Sequence, residues 1–405
     1  MTGGQEDLWE QAGMARIPAR SGRRANALKF VVLVGVMSFF ADFTYEGSRG
    51  VVGPYLRLLG ASAFVVAFVA GFGELLGYAI RLVSGRLSDR TGQFWPVTIF
   101  GYIVQMSSVP LLALAGSWPV AAGLVVTERI GKAIRNPPRD AMLAHAAGEI
   151  GYGWAFGVHE ALDQFGALFG PLFAAGLLAW RGDYEFAFAA LALPAAITLS
   201  LLGCARLLYP RPDELDTTPP DVHAGGLPRR FWIYLAGAAL VAAGFADFPF
   251  IAFHFQQAGS VSQDWSPVLY AVAMGVSGAG SLVFGKLFDR RGLGILIPLT
   301  VASLFYAPLV FLGGPAAAVI GMGLWGLGMG VHESIIPAAV ATMVPTNRRA
   351  SAFGLFTAGY GVAWFAGSVV LGALYAVSTG AVVTAAVLLE LAALPFLRLV
   401  RRGPM

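Results

Sequence analysis

The sequence predicts an all-α, polytopic membrane protein with twelve transmembrane helices in two pseudo-symmetric six-helix bundles. Composition is the first ground. Of 405 residues, 57% are hydrophobic and 12% are charged, with a mean hydropathy of +0.69. Soluble proteins carry about 25% charged residues. A soluble fold of this length cannot cover its surface with half that share, and the same figures exclude disorder. Length is the second ground. A membrane helix needs about 20 mostly apolar residues, so 405 residues hold twelve spans with their loops. The third is an internal repeat. GRLSDRTG at 85–92 returns as GKLFDRRG at 285–292, and FADF at 40–43 returns at 245–248. The 52 glycines suit helices that pack closely in lipid.

The apolar segments read as spans at 28–52, 61–83, 95–115, 119–135, 153–179, 186–207, 231–254, 267–284, 293–313, 315–336, 351–375 and 381–399. Residues 1–27 form a polar, then basic, N-terminal tail. The apolar run from Phe30 continues through acidic residues, not to a small-residue cleavage site, so it reads as an uncleaved first helix. The Pro-rich, charged segment 208–230 is a linker between an N-terminal bundle, 28–207, and a C-terminal bundle, 231–399; residues 400–405 form a second tail. Pro137 and Pro138 are expected to stop the fourth span and leave Arg139 and Asp140 in a loop. With the N-terminus inside, 22 of the 27 Lys and Arg residues fall in inner segments, and Arg49, Arg57 and Arg181 fall outside. The positive-inside rule then predicts cytoplasmic termini and linker, in the plasma (inner) membrane of a cell. The net charge of +4 is a matter of topology, so no nucleic-acid partner is expected. Cys204, the single cysteine, excludes an intrachain disulfide.

In the repeated octapeptide, Gly85 and Gly92 permit a tight turn and close backbone approach. Arg86 and Arg90 hold the segment at the inner face. Asp89 is expected to cap a neighbouring helix or to pair with an arginine such as Arg81. Gly285, Asp289 and Arg290 repeat the pattern. The two octapeptides closely resemble the signature loop of the major facilitator superfamily, which joins spans 2 and 3 and recurs, weaker, between spans 8 and 9. RIGKAIRNPPRDAM at 129–142 resembles the signature of a bacterial and archaeal branch of that superfamily. GALFGP at 166–171 is similar to the Gly-x-x-x-Gly-Pro core of its antiporter motif, with Ala174 and Ala175 where two glycines usually follow. The resemblance implies alternating access, with both octapeptides latching the halves in an outward-open state. It also implies a proton-coupling arginine in span 4, carried over to Arg129.

A charge at a helix centre costs about 2.5–3.5 kcal/mol on insertion, so each one needs a reason. Asp42, Glu46 and Arg49 share one face of span 1, and Glu46 can pair with Arg49. Glu74 lies midway along span 2 with no basic neighbour in its own helix. Glu128, Lys132 and Arg135 share a face of span 4, and Arg129 points away from it. In span 5, His159 and Asp163 are spaced to hydrogen-bond, and Glu160 is expected to meet Arg129 or Lys132. The proton-coupling candidates are Asp42, Glu74, Arg129, Glu160 and Asp163. Asp42 and Glu74 lead, because a buried, weakly paired carboxyl titrates in the working range. The substrate-cavity candidates are Tyr45, Glu46, His159, Asp247, His254, Trp325, His332, Glu333, Tyr360 and Trp364.

No GxxxxGK[ST] is present, so a gradient is expected to drive transport. No HExxH or CxxC occurs, so neither metal nor cofactor is expected, and the absence of a nucleophile constellation argues against an enzyme. The expected function is secondary active transport: proton-coupled export (antiport) of a small amphipathic or drug-like compound by a monomer in the lipid bilayer. The alternative is proton-coupled uptake of a small organic anion or metabolite, with Arg129, His254 or His332 as anion partners.

Overall fold

The computed structural model describes residues 20–215, 226–261 and 265–402. Most of the N-terminal tail, the middle of the linker and the side chains of some helix residues, Glu74 among them, lie outside the described residues. The N-terminal half contains α1 (Arg20–Leu58), α2 (Ala63–Thr91), α3 (Phe94–Leu111), α4 (Trp118–Ile150) and α5 (Tyr152–Arg181). Its last span is made of α6 (Tyr184–Ala190) and α7 (Ala192–Leu208). In the C-terminal half, α8 (Arg229–Gly244) and α9 (Phe248–Ala258) form one broken span, followed by α10 (Ser266–Arg291). Then come α11 (Leu296–Ser303) with α12 (Tyr306–Leu312), α13 (Pro315–Gly330) with α14 (Ile336–Met343), α15 (Arg349–Tyr375) and α16 (Thr379–Arg402). A π-helical turn, Val331–Ile335, joins α13 to α14. No strand occurs among the described residues.

Among the described residues, nine stretches are long and apolar enough to cross a membrane, and one of them, Val268–Leu312, spans 45 residues. That stretch turns back at Gly292–Ile295 and so makes two crossings. With α2 and the charge-bearing α4, the total is twelve.

Two local expectations need correction. The fourth span does not stop at its prolines: α4 runs on through Pro137 and Pro138 to Ile150, and Arg139 is a buried helical residue. A proline removes the N–H that would bond the carbonyl four residues back. For Pro137 that carbonyl belongs to Ala133, and Ser84 Oγ on α2 donates to it at 3.1 Å. Packed neighbours thus satisfy the freed backbone, as proline tolerance in membrane helices requires. The first octapeptide is also mostly the end of α2 and not a loop. Only Gly92, at φ +66°, makes the turn, and Gly292, at φ +61°, makes the matching one.

The apolar cores explain how the halves meet. One continuous cluster joins both halves at the end where α1 begins, α2 ends, α8 begins and α16 ends. It includes Phe30, Trp95 and Phe156 of the first half and Phe231, Phe353 and Leu397 of the second. This end carries Arg86, Arg90, Arg290 and Arg291, and is called the basic face below. At the opposite end the core is divided. Tyr55, Val109 and Phe188 belong to a cluster of the first half alone, and Phe245, Tyr306 and Trp325 to one of the second half alone.

Candidate functional site

The basic face is shut by two matching caps. Asp89 accepts bonds from the backbone N–H groups of Ala350 (3.1 Å) and Ser351 (2.6 Å), at the start of α15. Asp289 accepts from Gly153 and Trp154, both at 2.7 Å, at the start of α5. Each aspartate therefore reaches from one half to a helix N-terminus of the other, where free N–H groups and the dipole favour a carboxylate. The expected pairing of Asp89 with Arg81 is not made; Arg81 lies over the Tyr78 ring, 5.4 Å from its centroid. Gly85 and Gly285 permit this closeness. A Cβ on Gly85 would collide with the Ala350 carbonyl, and one on Gly285 with the Gly153 carbonyl. Arg349 adds a third tie, to Tyr152 Oη at 2.6 Å and to His145 Nδ1 at 3.2 Å. Arg86, Arg90 and Arg290 are exposed.

Above this closed end the titratable side chains converge. Asp42 faces Arg135 Nη2 at 3.5 Å and Lys132 Nζ at 4.0 Å, so it is paired where the sequence suggests an almost free carboxyl. Arg135 is wholly buried, donating to Gln105 Oε1 (2.5 Å) and Tyr102 Oη (2.9 Å). Gln105 in turn donates to Glu128 at 2.8 Å. Tyr45 takes a bond from Arg129, and Lys132 Nζ sits 3.9 Å from its ring centroid. Glu46 pairs with Arg49 at 3.3 Å, as the spacing predicts.

The span 5 cluster differs from expectation. His159 Nε2 bonds Ser38 Oγ at 2.9 Å, not Asp163. Asp163 Oδ1 is buried without a hydrogen-bond partner. Glu160 does not meet Arg129 or Lys132. It accepts from Gln164 Nε2 at 2.6 Å, and Gln164 also donates to Glu333 of the other half. The carboxyls of Glu160 and Glu333 thus meet on one amide nitrogen, that of Gln164. Glu160 is buried, and Glu333, deep in the molecule, is exposed to the cleft between the halves. Two carboxylates gathered on one donor repel each other, which favours a proton on one member.

The facing wall is aromatic. His332, Tyr360 and Trp364 meet edge to face, with centroids 5.7–6.1 Å apart, and Phe245 lies 4.6 Å from His332. Trp325 is buried, and its Nε1 donates to the Ala246 carbonyl, satisfying backbone where α8 breaks off from α9. Asp247 lies in that break, whereas its repeat partner Asp42 is helical. His254 sits apart, bonded to Tyr375 Oη at 2.9 Å and packed on Phe311. Glu74's side chain lies outside the described residues. Sequence reasoning missed Ser38, Tyr102, Gln105 and Gln164. Only the i, i+4 spacing of Glu160 and Gln164 hints at one of these bonds.

The model of the Major Facilitator Superfamily matches residues 34–368. The chain belongs to this superfamily. It is a multi-pass secondary transporter and not an enzyme. An uncharacterised protein of Mycobacterium tuberculosis is 40% identical over 93% of this chain and 94% of its own length. An uncharacterised MFS-type transporter of Methanocaldococcus jannaschii is 23% identical over 86% of this chain and 89% of its own. The crystal structure of the E. coli fucose:proton symporter superposes with a TM-score of 0.69 at 14% identity, covering 93% of this chain and 99% of that one. The last comparison concerns the fold alone.

Proposed function

We propose that this transporter is a proton-coupled antiporter that exports a small amphipathic compound across the cytoplasmic membrane, with both termini and the linker 208–230 on the cytoplasmic side. The observation that carries the coupling is the meeting of Glu160 of the first half and Glu333 of the second on the Gln164 amide. Two carboxyls this close cannot both stay ionised. A proton shared between them holds the halves together at this point, and its loss puts two negative charges against each other. Access and protonation are then linked in one place. The fucose:proton symporter, by its description, couples to the same ion. The split of 22 basic residues against three supports the orientation. A charged wall on α1 and α4 facing an aromatic wall at Tyr360 and Trp364 suits an amphipathic substrate, and GALFGP supports antiport.

The test is flux in proteoliposomes, with and without an imposed pH gradient. Glu160→Gln and Glu333→Gln are expected to retain substrate binding and to lose gradient-driven accumulation. Full accumulation in both variants would sink the coupling site. The second reading, uptake of a small organic anion, is favoured by Arg129 and Lys132 converging on Tyr45. The direction of flux in the same vesicles separates the two readings.

A further inference from the structure

The second half holds a buried carboxyl that the Glu160–Glu333 contact does not use. Glu390 on α16 is 1% exposed, and its Oε2 accepts a bond from Ser303 Oγ at 2.8 Å. No Lys, Arg or His faces it among the described residues. From α8 it meets the backbone of Gly244, from α11 Ser303, and from α12 Tyr306, beyond which lies Asp247. Apart from its terminal Arg349, α15 offers only Tyr360 and Tyr375 as titratable groups. A carboxylate with one neutral partner is too costly at such a site, so Glu390 carries a proton.

That proton has a route. Ser303 also lines a cavity of about 20 Å³, together with Tyr234, Ala238, Thr300, His332 and Leu397. Tyr234 Oη and His332 Nδ1 are buried in its wall without hydrogen-bond partners, on residues 1% and 8% exposed. About 10–15 Å³ is enough for one water, which needs two to four polar partners. Ser303 Oγ, Tyr234 Oη and His332 Nδ1 supply three. Tyr234 and Leu397 each lie five residues from an end of α8 or α16 at the basic face, so the cavity lies between that face and Glu390.

We propose that Glu390 and Ser303 form a second proton-binding site, loaded from the basic face through a water held between Ser303, Tyr234 and His332. Loading is a hydroxyl relay: a proton arriving from the basic face adds to the cavity water as the water gives one to Ser303 Oγ, and Ser303 passes its own proton to Glu390 Oε2, so water and serine both end neutral. Release runs the same steps backward, and no charge is left on serine. The π-helical turn gives this site a neighbour. His332 lines the cavity, and Glu333, one residue on, faces the cleft. The second site does not depend on the role assigned to Glu160 and Glu333.

Infrared spectroscopy of the purified full-length protein in lipid tests this without any substrate. At neutral pH the wild type is expected to show the carbonyl band of protonated carboxylic acids, and Glu390→Gln is expected to lose one component of it. Glu160→Gln should leave that component in place. Ser303→Ala should keep it and shift its position, because its hydrogen bond is gone. Ala238→Leu fills the cavity and should slow the band's response to transfer into deuterated water. An unchanged band in a folded Glu390→Gln protein, or an unshifted one in Ser303→Ala, overturns the site. Unchanged exchange in Ala238→Leu overturns the route. If Glu390→Gln fails to fold, the other two variants still decide.

Discussion

Arg135 shows at the residue scale what a membrane charge is for. Its guanidinium is wholly buried, bonded to Gln105 and Tyr102, with Asp42 3.5 Å away. Removing one member of a buried pair leaves the other unpaired, at about 3–5 kcal/mol. Arg135→Met is therefore expected to lower the thermal unfolding midpoint in detergent strongly, and Asp42→Asn added to it should restore part of the loss. A double variant no better than the single would show that the two charges are not coupled. The sequence marks such residues, because a charge in an apolar run stands out. It does not mark their partners. Gln105, Gln164 and Ser38 are neutral and inexpensive in a helix, so nothing singles them out. Glu160 turns to a carboxyl of the other half, across 173 positions of chain, where helix-face arithmetic has no reach.

Helix ends govern the next scale. Asp89 and Asp289 each hold two backbone N–H groups of a helix in the opposite half. Losing such a cap costs about 0.5–2 kcal/mol, enough to shift a balanced two-state equilibrium without unfolding the chain. Asp89→Ala removes both acceptors and is expected to raise cysteine labelling from the basic face and to lower turnover. Asp289→Ala is expected to act comparably, since its bonds are as short; the resemblance implied a weaker second copy. Unchanged labelling in both variants would remove the latch. Titration gives a second check. Burial raises the Asp89 carboxyl above its ordinary value against the pull of its N–H partners, and Asp289 behaves the same way. A raised carboxyl favours the closed state when protonated. Closure should be strongest in acid, weaken as pH rises through the raised values and be flat above them. Wild-type labelling that fell steadily with rising pH would contradict that sign. The positions of both caps were legible from the repeat, because offset and motif coincide. The length of α4 was not. Its prolines read as a stop until the Ser84 hydroxyl is seen on the Ala133 carbonyl.

For the whole molecule, the division of the apolar core decides the state. The halves share one cluster at the basic face and have separate clusters at the other end. The twelve-span plan and the pseudo-symmetry could be read from hydropathy and the repeat, but this asymmetry could not, since apolar residues occur toward both ends of the spans and do not say which end packs against the other half. It makes the basic face the closed gate of this conformation and leaves Glu333 open to the cleft. Phe156 and Phe353 meet across that gate with ring centroids 5.9 Å apart. With Cys204, the only cysteine, replaced by Ser, cysteines at 156 and 353 can be joined by a short, cleavable bis-thiol reagent. Joining them should stop transport while leaving substrate binding from the opposite face intact, and cleavage should restore flux. An alternating-access carrier locked at one gate must behave this way, because the site remains open on one side and can no longer exchange sides. Undiminished transport by the cross-linked protein would mean that the basic face never opens, and that the two caps are permanent structure and not a gate.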